Sequence, residues 1–249
     1  MGITALFQRP EAPSGEAHDD HTHRDVKGGA ARAAIFGVSD GLVSNVSLIL
    51  GVAGASPAPG VVRLAGLAGL LAGACSMAAG EYVSVQAQRE LLERELAVER
   101  QELELRPEME RRELAGIYRS RGVDAAVADA VAAQLSVDPE TALEAHAREE
   151  LGIDPRQLGS PQAAAASSFV AFTVGAVIPL VPWLIGRGTG AVVASVVLSA
   201  MAAILIGVVL AGFTGRSVLV SSSRQLAVAA VAAGITFAVG TALGVTGTV

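Results

Sequence analysis

The sequence predicts an all-α integral membrane protein: five membrane-crossing helices, with a helical cytosolic insert between the second and third. Three observations carry this. Hydrophobic residues make up 51% of the 249-residue chain and the mean hydropathy is +0.50, too apolar for an ordinary soluble domain. Five apolar stretches each reach the roughly 20 residues needed to cross the hydrocarbon core. Between the second and third stretch lies a highly charged segment with helix signals and no strand-like alternation.

The first 32 residues are polar and are expected to be a flexible cytosolic N-terminus; no signal peptide is expected. His18, His21 and His23, with Asp19 and Asp20, make a cluster there that suits at most weak metal binding. The first span is predicted at 33–55 and the second at 62–85, together the membrane portion 33–85. The second span should continue past the bilayer as one rod, because no Gly or Pro occurs from Glu81 to Leu105. Pro107 should then restart the chain as a helix over 108–121, stopped by Gly122. A third insert helix is predicted over 124–135, and a fourth from Pro139 to about Gly152 with Asp138 as N-cap. These make up a cytosolic helical metal-binding domain, 86–158. The remaining spans, within 159–249, are predicted at 163–185, 190–213 and 226–245. Pro179 and Pro182 should kink the third span or mark its outer end. Glycines such as Gly66, Gly69, Gly73, Gly234, Gly240 and Gly244 read as close helix packing.

Charge sets the orientation and narrows the partners. Arg24, Lys27 and Arg32 precede the first span, Arg89, Arg94 and Arg100 follow the second, and Arg216 and Arg224 lie between the fourth and fifth. The opposite loops hold only Arg63 and Arg187. The N-terminus and the insert therefore face the cytosol. The insert carries 17 acidic against 10 basic residues, which favours cationic partners and excludes nucleic acid. The single cysteine, Cys75, excludes an internal disulfide framework.

Asp40 is the most informative residue. A carboxylate inside a membrane span costs roughly 2.5–3.5 kcal/mol near a helix centre, so such residues line a path or hold an ion. Asp40, Ser44 and Ser47 recur at helical spacing and predict a polar stripe along a transport path, completed by Met77 and Glu81 from the second span. Asp40 as a simple helix cap beside Gly41 is the competing reading. A thioether and carboxylates form a mixed donor set that suits a borderline transition metal better than Mg²⁺ or Ca²⁺. Glu99 lies five full turns from Glu81 on the same helix face, with Glu95 about 40° and Glu102 about 60° away. Glu110 and Glu113 repeat the spacing on the next helix. Like charges at this spacing repel, and a counter-ion relieves them. A solvated, salt-bridged helix accounts for Arg89–Glu93 and Arg100–Glu104 but less well for these glutamates. His146 and Glu150, one turn apart, are the expected contribution of the fourth insert helix.

Gly37-Val-Ser-Asp-Gly-Leu-Val-Ser and Ser76-Met-Ala-Ala-Gly-Glu-Tyr-Val-Ser-Val-Gln-Ala-Gln88 resemble the two signature segments of the vacuolar iron transporter family, and the likeness extends over nearly the whole chain. That resemblance implies a homodimer in the lipid bilayer whose path is lined by the first two spans. It implies a non-enzymatic secondary transporter that moves Fe²⁺, and often Mn²⁺, out of the cytosol in exchange for protons. It matches Asp40 and Met77 to the family's membrane metal site and Glu81 to a carboxylate beside it. Glu99, Glu102, Glu110, Glu113 and Glu150 match the glutamates of its cytosolic metal-binding domain. His146 departs from the pattern, falling where plant members carry a Met ligand. The same sites are open to Co²⁺ or Zn²⁺. A bacterial source would place the protein in the plasma (inner) membrane and a eukaryotic one in the vacuolar membrane. The alternative is a membrane-anchored iron-binding or ferroxidase protein whose spans serve only as an anchor.

Overall fold

The structure is a computed structural model and describes residues 29–55, 58–155 and 158–244. The N-terminal histidine cluster lies outside the described residues. Eight helices run in order: α1 Gly29–Ala55, α2 Pro59–Leu105, α3 Pro107–Ser120, α4 Ala125–Leu135, α5 Pro139–Glu149, α6 Pro161–Ile185, α7 Gly188–Thr214 and α8 Val218–Gly244. Five of them, α1, α2, α6, α7 and α8, are long and apolar enough to cross a membrane. No strand occurs among the described residues. The chain is an all-α multi-pass membrane protein.

The uninterrupted second helix is borne out. α2 has 47 residues, about 70 Å at 1.5 Å per residue. Pro59 starts it, where a missing N–H costs nothing, and it ends at Leu105 before Pro107 opens α3. The insert helices follow their capping signals. Asp124 accepts from the N–H groups of Ala126 and Val127 at the start of α4, and Asp138 accepts from Thr141 N–H at the start of α5. Gly122, at φ +92°, makes the left-handed turn after α3.

The fifth span departs from expectation. α8 begins at Val218, eight residues before the predicted start, and so absorbs Arg224 into helix. The polar run 221–225 depresses hydropathy, yet two of its side chains, Ser222 and Gln225, bond to neighbouring helices and Ser223 bonds back to its own. Ser222 Oγ donates to Ile204 O at 3.1 Å, Ser223 Oγ donates to Val220 O at 3.1 Å, and Gln225 Nε2 donates to Ser39 Oγ of α1. The turn before it is short because Gly215, at φ +67°, caps α7 in the left-handed conformation. Pro179 and Pro182 lie inside the last two turns of α6.

α1 is the hub of the membrane bundle, packed on α6 and α8 and more sparingly on α2 and α7. The backbones of α1 and α6 touch through two glycines. A Cβ at Gly175 would lie 2.0 Å from Val38 O, and one at Gly41 2.1 Å from Phe172 O, so α1 and α6 meet without intervening side chains. Arg63 fastens the N-terminal end of α2 to the end of α6: Nε donates to Trp183 O at 2.5 Å and Nη2 to Gly186 O at 3.2 Å. Trp183 is fully buried against Leu180 and Ala191 in the same cluster. Outward-facing valines and leucines cover α7 and α8, as a lipid-facing surface requires.

Gly175→Ala should lower the stability of the purified protein by about 1–3 kcal/mol, because no side chain can move aside for a methyl group there. Gly60→Ala, with open space around it, should be neutral or gain up to about 1 kcal/mol. Thermal unfolding in detergent compares the two.

Candidate functional site

Two polar centres lie on opposite halves of α2. The first is a cleft of about 300 Å³ between α1, α2 and α6, lined by Asp40, Ser44, Asn45, Met77 and Phe172 among others. Asp40 is the twelfth residue of α1, well inside the helix, which disposes of the capping interpretation. Ser44 Oγ donates to Asp40 Oδ1 at 3.3 Å, one turn along. The side chain of Asp40 is exposed in this single chain. Met77 is half-buried, resting on the cluster that contains Phe172 and Leu70. Gly73 admits the Phe172 ring, since a Cβ there would sit 2.2 Å from Cζ.

Two residues expected on the same stripe stand apart. Ser47 is 8% exposed and faces α8, where its carbonyl accepts from Thr236 Oγ1 at 2.7 Å. It borders a separate apolar groove with Gly51 and Gly240. The tight seam between α1 and α8, with a Gly240 Cβ only 1.9 Å from Gly51 O, rotates that side of the helix away from the cleft. Glu81 is half-buried one turn beyond Met77 and does not line the cleft.

The second centre lies in the insert, about 33 Å along α2 from Met77 at 1.5 Å per residue. Glu99 of α2 is 4% exposed, Glu110 of α3 2% and His146 of α5 0%. Each offers a ligand atom, and these atoms all lie within 4.8 Å of one another. Three atoms around one ion at about 2.1 Å are at most about 4.2 Å apart, so sub-ångström closure would bring all three onto one metal. His146 Nδ1 is 3.0 Å from Glu99 Oε1 and 3.7 Å from Glu150 Oε2. The approach misses hydrogen-bonding direction: Glu99 Oε1 and both imidazole nitrogens are buried without a hydrogen-bond partner among the described residues.

Electrostatics agree with the geometry. Burial, then repulsion from Glu150, Glu110, Glu102 and Glu113, pushes the Glu99 carboxyl up from its ordinary 4.5 to about 7. Burial, followed by Glu113, Glu102 and Glu150, also raises Glu110, with Arg106 opposing. Glu102 and Glu113 are themselves exposed and act on the pair through space. Neither Glu99 nor Glu110 forms an ion pair with an arginine among the described residues. Glu95 is half-buried one turn nearer the membrane and stands outside the cluster. By contrast the arginines of the insert neutralise other glutamates: Arg89 with Glu93, Arg111 with Glu108, Arg121 with Glu149. Buried carboxylates left without a cation, around an imidazole with both nitrogens free, form a donor set for a divalent metal.

Asn45 and Phe172 escaped the sequence reading. Asn45 lies about 140° around α1 from Asp40, so the spacing that joins Asp40 to Ser44 passes it by. Its place inside an apolar run was the available signal.

A membrane bundle with a carboxylate–thioether cleft, joined by one helix to a buried carboxylate–imidazole cluster, is the architecture of a multi-pass transporter of metal ions. The comparisons with known proteins make the assignment specific. The chain belongs to the VIT family, whose model matches residues 31–241. It is 40% identical to the vacuolar iron transporter of Acanthamoeba castellanii over 234 residues, covering 90% of this chain and 83% of that protein. It is 33% identical to vacuolar iron transporter 1 of Arabidopsis thaliana over 240 residues, 94% of each. Vacuolar iron transporter homolog 5 of Oryza sativa subsp. japonica is 35% identical over 213 residues, 83% of this chain and 76% of that protein.

The raised Glu99 carboxyl gives a signed pH dependence. Its stabilising contribution is fully present below about 4.5 and is lost as pH rises through about 7. The metal-free protein should melt at a lower temperature at pH 8 than at pH 5.5, and Glu99→Gln should flatten that slope. Thermal unfolding of chelator-treated protein across this range measures it.

Proposed function

We propose that this protein exports Fe²⁺, with Mn²⁺ as a second cargo, from the cytosol in exchange for protons. The observation that carries the proposal is the continuous α2, which bears Glu99 in the buried cluster and Met77 in the membrane cleft. The names of the curated relatives supply iron as the cargo.

Glu99, Glu110, His146 and Glu150 gather the ion, while Glu102 and Glu113 add to the local negative potential that attracts it. Glu95 and Glu81, both on α2, are the intermediate carboxylates on the way to Met77 and Asp40. Ser44, donating to Asp40, keeps that carboxylate oriented. A proton arriving on a carboxylate cancels its charge and weakens its hold on the metal, so protons returning from the far side release the ion there. An Asp40 side chain exposed on a membrane face is costly next to lipid. A second copy of the chain placed against the α1–α2 face covers it, which makes the working unit a homodimer. The arginines of the α2 rod support an orientation with the insert and N-terminus on the cytosolic side. The surrounding membrane is the plasma membrane of a bacterium or the vacuolar membrane of a eukaryote. Co²⁺ and Zn²⁺ compete for the same donors.

Proteoliposomes loaded with a pH dye test this. Wild-type protein should accumulate Fe²⁺ with matching proton counterflow, and Asp40→Ala should lower uptake by at least about tenfold while retaining its fold. Uptake by Asp40→Ala at the wild-type rate would overturn the path. Iron bound or oxidised by the wild type without accumulation would replace transport with the anchored iron-binding reading.

A further inference from the structure

We propose that Asn45 is a metal ligand in the membrane cleft, supplying a neutral amide oxygen that tunes the Asp40–Met77 site toward oxygen-preferring divalent ions. The proposal rests on the reading of that cleft as the translocation site.

Asn45 is 1% exposed and lines the cleft. Its Nδ2 donates to Ala176 O of α6 at 2.6 Å. Only the NH₂ end of an amide can meet a carbonyl oxygen at that distance, so the orientation of the side chain is determined. Oδ1 therefore points away from the Ala176 carbonyl, and it is buried with no hydrogen-bond partner among the described residues. A structural tie between α1 and α6 needs the donor alone; it leaves the acceptor unexplained.

Gly69 supplies an independent observation. It lines the same cleft, and a Cβ there would lie 3.0 Å from Asn45 Oδ1 and 2.3 Å from Leu48 Cδ2. A side chain at 69 would cover the amide oxygen. The glycine on α2 thus makes room first for the Leu48 side chain and then for the amide oxygen behind it.

The chemistry fits a cargo site better than a storage site. Asp40 is an anionic oxygen donor and Met77 a soft thioether. A carbonyl oxygen raises the share of hard donors, which suits Mn²⁺ and Fe²⁺, without adding charge that would slow release. The amide does not titrate, so its hold on the ion is the same at every pH and proton-linked release is left to the carboxylates.

The test uses Asn45→Leu, which removes the oxygen at similar volume, and Gly69→Ala, which shields the oxygen but keeps its bond to α6. Mn²⁺ binding is read by electron paramagnetic resonance of the full chain in a Glu99→Gln, His146→Gln background that silences the insert. Mn²⁺ and Zn²⁺ uptake KM values are read in proteoliposomes. Both variants should weaken Mn²⁺ by about tenfold or more and Zn²⁺ by no more than about threefold. Retention of Mn²⁺ affinity within about twofold in both variants would overturn the assignment. So would an equal loss for both metals accompanied by a lower melting temperature, the signature of a purely structural tie. Should Asn45→Leu fail to fold, Gly69→Ala decides alone. Asp40→Ala run in parallel separates the two levels. Wild-type Mn²⁺ binding in Asp40→Ala would remove the cleft as the translocation site. Loss there, with normal Asn45 and Gly69 variants, would remove only the amide ligand.

Discussion

The contact on which the membrane bundle depends is the backbone approach of α1 to α6 through Gly41 and Gly175. In hydrocarbon there is no hydrophobic drive to bring helices together, so close packing and interhelical hydrogen bonds decide which helices associate. The approach brings Asn45 within 2.6 Å of the Ala176 carbonyl and places Phe172 where it can fill the notch at Gly73. The cleft at Asp40 and Met77 is what remains between helices held at that distance. It exists because small residues set the spacing on one side and a ring fills part of the other.

The insert solves an opposite problem. There the difficulty is not the absence of water but the withdrawal of carboxylates from it. Leu114, Ala115 and Ala132 form a small apolar core beneath α3 and α4, and capping aspartates fix where α4 and α5 begin. These ordinary folding choices deliver Glu110 and His146 onto the Glu99 face of α2. The cost of burying like charges is borne by packing elsewhere, which is the usual arrangement when a strained group serves a purpose.

Much of this was legible in advance. The spans, the long rod and the helices of the insert followed from hydropathy, proline placement and capping residues, because each of these acts over a few neighbouring residues. Glu99, Glu110 and His146 were expected only within a longer set that also held Glu95, Glu102, Glu113 and Glu150; it is the fold that brings those three together. What could not be read were relations between helices distant in sequence. Ser47 shares a stripe with Ser44 on a bare helix wheel, but the Gly51–Gly240 seam decides that it faces α8. Asn45 has no periodic partner, and its neighbour is a carbonyl 131 positions away. The start of α8 was misplaced because a hydropathy window counts Ser221, Ser222 and Arg224 as polar, whereas α7 supplies an acceptor for Ser222 and Ser39 of α1 one for Gln225.

Arg63 gives the long helix a mechanical character. It pins the N-terminal end of α2 to α6, while the other end carries the insert. Met77 lies about 21 Å from that pin along the helix and Glu99 about 54 Å. Were such a stiff rod to pivot about Arg63, it would act as a lever with a ratio near 0.4, and a sideways swing of about 5 Å at the insert would arrive at the cleft as about 2 Å. That is comparable to the length of one metal–ligand bond.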